Sequence, residues 1–165
     1  MQASYKQELE ARPALETPPK TKANEMLKGR YLVFFGGSVN HTTSATIINL
    51  NGRAGKFLTN HIDAAINVGL ISGNSSSDYN GATFGVSGRY LTPLPIEAPL
   101  SFALGARLQY APGPADQTTI YLSPGLSYFL PNGSLDLTLD LGLAGPLKDT
   151  KTISVGYTMY LGGAK

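Results

Sequence analysis

Two histidines, His41 and His61, are all the imidazole the chain has, and it contains no cysteine. Hydrolysis by a nucleophile or a metal needs a histidine that converges with a hydroxyl, an acid or further ligands. His41 opens the run HTTS, which reads as an ordinary polar hairpin connection. Without cysteine there is no disulfide, thiol or thiolate–metal chemistry. The glycines of GGSVN, from Gly36, sit in an extended pattern rather than between strand and helix, so they form no phosphate loop. No catalytic residue, metal ligand or cofactor is assigned.

What remains is ionic. Arg53, Arg89 and Arg107 and the acids Asp63, Asp136 and Asp140 recur as isolated charges among Ser, Thr, Asn and Gly. The chain of 165 residues has 15% charged residues, 19 glycines and a net charge of +2. Six Lys/Arg and four Asp/Glu precede Tyr31, and seven of each follow it. The later part is about 10% charged, far below the surface of a soluble domain. Charge so small and dispersed does not suit nucleic acid. The length supports one domain with one core. No run approaches the 18 or more apolar residues of a spanning helix.

Periodicity positions these charges. From Arg30 the apolar residues recur every second position. In SLDLTLDLGLAG, Leu135, Leu137, Leu139, Leu141 and Leu143 share one face, and Asp136, Thr138, Asp140 and Gly142 share the other. Before it, Ile120, Leu122, Pro124, Leu126, Tyr128 and Leu130 align against Tyr121, Ser123, Gly125, Ser127 and Phe129, and Pro131, Asn132 and Gly133 make the turn. The same rule predicts eight strands, at 30–40, 45–58, 61–72, 82–92, 99–111, 118–130, 134–145 and 151–162. Pro124 is read as a bulge that accommodates its missing donor. Tight turns alternate with looser polar loops, so the expected fold class is all-β, an eight-stranded antiparallel up-and-down transmembrane β-barrel. His41 and His61 then lie at opposite rims, on the order of 25 Å apart, and share no site.

Alternation alone does not say which face is outside. A soluble lipocalin-like carrier would turn its leucines inward around a small apolar ligand. Three features favour the membrane. Gly69, Gly85, Gly105, Gly125, Gly142 and Gly156 all fall on the polar face, where eight strands enclose a cramped interior. The polar faces of the last six strands have no lysine, although soluble strands use it freely. Tyr90, Tyr110 and Tyr128 lie toward the ends of the apolar faces, as interface aromatics do. The leucines of 135–143 are then lipid-facing, and the three arginines and three aspartates form a charge network in a lumen filled by side chains.

With GRAGKFLTNHIDAAINVGL and SPGLSYFLPNGSLDLTLDLGL, the region from Arg30 to Lys165 resembles the small eight-stranded outer-membrane barrels, the group of the outer-membrane protein X barrel and the transmembrane half of outer-membrane protein A. The resemblance implies a bacterial outer membrane, machinery-assisted insertion and both termini in the periplasm. Members of that group usually end in Phe, whereas here GGAK follows Leu161. Small barrels that modify lipid A place His beside Ser on the outer side, which makes His41 and Ser44 the one pair to weigh for an enzyme.

Residues 1–29 read as a flexible or partly helical periplasmic extension, charged and rich in Pro, with too few apolar residues for a core. Lys6, Glu8, Glu10 and Arg12 occupy the place of a signal's apolar core, which leaves a protein that is not exported or a mature chain whose signal was removed. The functional expectation is a structural or interaction protein, an anchor or accessory subunit of an outer-membrane complex. Its partners would be outer-membrane lipid and a protein bound through residues 1–29. The alternative is a carrier or narrow permeation barrel for a small apolar molecule.

Overall fold

Residues 27–41, 46–74, 79–96, 98–112, 117–145 and 148–162 are described in a computed structural model. Each segment of period two becomes a strand: β1 (Tyr31–His41), β2 (Thr46–Phe57), β3 (Ile62–Asn74), β4 (Tyr79–Pro93), β5 (Leu100–Ala111), β6 (Gln117–Leu130), β7 (Gly133–Ala144) and β8 (Lys151–Leu161). Chain neighbours pair antiparallel, and β1 also pairs with β8, from Tyr31↔Leu161 to Gly37↔Val155, so the sheet closes into a barrel. Closure leaves no sheet edge, which is the condition for a sheet to sit in hydrocarbon. Among the described residues no helix is long and apolar enough to cross a membrane.

Local chemistry fixes the registers. Pro131 and Asn132 form a two-residue turn that pairs Leu130 with Gly133 and so sets Ser127 opposite Asp136. At the β2–β3 turn the Thr59 hydroxyl accepts from the backbone N–H of His61 and of Ile62, at 3.1 and 2.9 Å. These turns, the end of β4, the start of β1 and the end of β8 share one rim, here the turn end; the opposite rim is the loop end. The β4 strand starts at Tyr79, ahead of the expected residue 82.

The bulge expected at Pro124 is elsewhere. Pairing runs Leu122↔Leu141 and then Gly125↔Thr138 in one register, so Pro124 shifts nothing. The register changes instead between Ile120, opposite Ala144, and Tyr121, opposite Gly142. The change falls near the loop end, where one extra β7 residue is absorbed.

The leucine rows face out. Leu135, Leu137, Leu139 and Leu143 are exposed, and Leu141 is half-exposed. They join Ile66, Val68, Leu70, Val86, Leu104, Leu108, Ile120, Leu126, Ile153 and Val155 in an apolar belt around the wall. A soluble monomer seldom exposes a contiguous apolar surface of this extent. The inward-leucine carrier arrangement is therefore not the one adopted. Tyr90 and Tyr128 lie on the belt near the turn end, with Tyr31, whose ring is 5.3 Å from the Lys56 ammonium; Tyr110 lies toward the loop end.

A small apolar core closes the turn end from within. Leu32, Phe57, Ala65, Leu91, Ala103, Phe129 and Tyr160 come from seven strands and are buried together with Leu27. Tyr160 stacks edge-on against Phe57, with centroids 5.5 Å apart. Contacts with the barrel reach upstream of residue 30: Leu27 belongs to the apolar core, Gly29 N–H donates to the Phe57 carbonyl at 2.9 Å, and Lys28 N–H donates to Asn60 Oδ1 at 2.9 Å. Residues 1–26 lie outside the described part.

Candidate functional site in the barrel interior

The polar face of the strands lines the interior, and charges there must be paired or wet. Asp63 of β3, fully buried, accepts from Arg53 Nη2 at 2.5 Å and from Arg89 Nε at 2.9 Å, one arginine on each neighbouring strand. Arg89 also places Nη1 3.2 Å from Asp136 Oδ2 on β7. Asp136 accepts from Ser127 at 2.6 Å, from Ser134 at 3.1 Å and from Thr158, and the Tyr160 hydroxyl donates to Ser134 at 2.8 Å. Nearer the loop end, Asp140 accepts from Ser123 at 2.5 Å, Ser154 at 3.2 Å and Arg107 Nη2 at 3.2 Å. The Arg107 guanidinium also lies 4.5 Å from the centroid of the Tyr121 ring.

The ion pairs fall in two sets: Arg53, Asp63, Arg89 and Asp136 in one, Arg107 and Asp140 in the other. Sequence reasoning missed the hydroxyls that hold the acids. The signal was present, because a two-residue turn at Pro131 and Asn132 fixes Ser127 opposite Asp136. It also missed Phe34 of β1, which projects inward where Gly36 and Gly156 stand directly opposite each other. The interior cavity measures about 60 Å³ and is bordered by Phe34, Arg53, Asn67, Arg107, Asp140 and Ser154, among others. That is room for a few waters, not for a drug-sized ligand.

His41 ends β1 at the loop end, its side chain and Ser44 lie outside the described part, and His61 sits in the turn at the opposite rim. His61 Nδ1 is 3.0 Å from the Leu91 carbonyl and so is engaged with backbone. Among the described residues no group of His, Asp or Glu is arranged to hold a metal ion.

Closed topology, an apolar outer belt and an ion-paired interior can be compared with known proteins. No protein-family model and no curated protein matches the chain. Among solved structures, the N-terminal β-barrel domain of Pseudomonas aeruginosa OprF is similar over 81% of this chain and 98% of that one, with a TM-score of 0.61 and 17% identity. The fold is that of the small outer-membrane barrels. Neisserial surface protein A matches 81% of this chain and 97% of its own, at TM-score 0.53 and 21% identity. A barrel from the de novo design of transmembrane β-barrels matches the same 81%, and 97% of its own chain, at 0.55 and 14%. A designed protein in this group makes the point that an outer-membrane-barrel fold specifies an environment and an architecture without specifying a task.

Proposed function

We propose that the protein is an outer-membrane barrel whose work is structural or interactive: a membrane anchor or accessory subunit that presents the part of its N-terminal segment before Leu27 to a periplasmic partner. One observation carries this reading. The belt-and-plug arrangement spends the outer face on lipid and the lumen on its own ion pairs, so neither surface is left for turnover or transport. The cavity of about 60 Å³, bordered by arginine, aspartate and asparagine, speaks against a carrier for an apolar molecule. Apolar closure at the turn end by Leu27, Phe57, Leu91 and Tyr160 speaks against a through-pore.

Both termini leave the barrel at the turn end, which in this reading is periplasmic. The test is protease access to Lys20 and Lys22 in cells. Cleavage only after the outer membrane is permeabilised is expected; cleavage of intact cells from outside would overturn the orientation. Planar-bilayer recording tests the closed lumen: no steady conductance is expected from the full chain, and a large one would contradict a plugged interior.

A further inference from the structure

Some donors in the lumen go unmet. Four buried N–H groups, Arg53 Nε, Asn67 Nδ2, Arg89 Nη2 and Arg107 Nε, find no acceptor among the described residues. No buried side-chain oxygen among those residues is left in the same state. All four donors belong to side chains that border the same cavity of about 60 Å³. Asn67 and Arg89 are more than nine-tenths buried, at 8% and 6% exposure, so bulk water does not serve them. An unmet buried donor costs about 1 to 3 kcal/mol, and four around one cavity point to a guest that accepts.

Lone pairs rather than net charge define that guest. Three guanidiniums and two carboxylates, Asp136 and Asp140, border the cavity, and the third carboxylate, Asp63, balances them by holding Arg53 and Arg89. Both bordering carboxylates are already engaged, Asp136 by Ser127, Ser134, Thr158 and Arg89, and Asp140 by Ser123, Ser154 and Arg107. A water that accepts from the orphan donors must also place two protons, and the nearby carboxylates offer little room for them. An anion accepts only. We propose that the lumen binds one small monovalent anion of halide size, held by Asn67 Nδ2 and the unpaired N–H groups of Arg53, Arg89 and Arg107. The turn end is closed by the apolar core, so the ion enters from the loop end, past Ser38, Asn49 and Asn51.

The full chain folded in detergent is the sample. Chloride binding is read by ³⁵Cl NMR line broadening, and bromide-soaked crystals locate the ion by anomalous scattering. Wild type is expected to broaden chloride beyond detergent alone, with bromide as competitor and an anomalous peak beside Asn67. Asn67→Asp keeps the shape but replaces the donor with an anionic acceptor, and should abolish both signals. Asn67→Ala removes one charge-assisted donor and should weaken binding about tenfold. Far-UV circular dichroism confirms that both variants keep the barrel. Water alone at the cavity in bromide-soaked wild-type crystals, no broadening by wild type, or undiminished binding by Asn67→Asp would each overturn the proposal.

Discussion

Arg89 on β4 reaches across the lumen to Asp136 on β7, Nη1 to Oδ2 at 3.2 Å, although the two strands are not neighbours in the sheet. Ladder hydrogen bonds hold each strand only to the next, so this contact ties the wall to itself through the interior. Arg89 also holds Asp63, so removing it leaves two buried carboxylates short of a partner. Arg89→Ala should cost about 3 to 5 kcal/mol in urea unfolding from lipid vesicles. Replacing Arg89 and Asp136 together should cost less than the sum of the single changes, since each removes the other's reason to be charged. A loss under about 1 kcal/mol for Arg89→Ala would mean that the pair is solvated and the lumen wet throughout.

Which residues face inward follows from parity alone, and parity is legible in a sequence where Leu135 to Leu143 alternate with Asp136 and Asp140. Neighbouring partners are nearly as legible, because tight turns fix the registers that bring Ser127 to Asp136. Contacts across the barrel are not. The Arg89–Asp136 tie depends on the closed circumference and tilt, which no single hairpin encodes. The ring of Leu32, Phe57, Leu91, Phe129 and Tyr160 was hidden for the same reason: each looks like a lone apolar residue on a polar face, and only closure gathers strand ends into one plane. Leu27 was hidden further, since it precedes the first alternating residue and has no periodic context.

The outer belt yields a direct test at Leu139. It lies mid-strand on β7, pairs with Ile153 of β8 and is 37% exposed on the apolar face. Leu139→Arg should oppose insertion by about 2 to 4 kcal/mol if this position lies at the bilayer midplane. Equilibrium folding into vesicles measures it. A Leu139→Arg protein that folds as a soluble monomer without detergent would end the membrane reading.

Phe34 depends on two glycines. Gly36 and Gly156 are opposite each other across the β1–β8 closure, and a Cβ on either would collide with the Phe34 ring. The absence of side chains there lets an aromatic ring fill the lumen beside the strand closure. Gly156→Val should therefore destabilise the barrel by about 1 to 3 kcal/mol through overpacking. Phe34→Ala in the same chain should restore part of that loss, because the colliding ring is gone. Equal destabilisation by Gly156→Val with and without Phe34 would place its cost in the backbone instead; the Cβ would also approach the Phe35 carbonyl.

The turn-end lid separates the anchoring part of the N-terminal segment from any part that binds a partner. Leu27 is 3% exposed against the apolar ring, and the Arg30 guanidinium donates from Nε to the Gly162 carbonyl at 2.8 Å, joining the two chain ends. Residues 27–30 therefore act with the barrel, while residues 2–26 carry most of the segment's charge and proline. Leu27→Ala should cost about 2 to 5 kcal/mol, the range for emptying a buried leucine site. Deleting Gln2 to Met26 should leave the urea midpoint unchanged, and deleting Gln2 to Gly29 should lower it by a similar amount to Leu27→Ala. Both deletions should lose a partner bound by the segment, whereas Leu27→Ala should keep it. If the shorter deletion destabilises the barrel as much as the longer one, the lid extends upstream of Leu27 and residues 2–26 serve the fold rather than a partner.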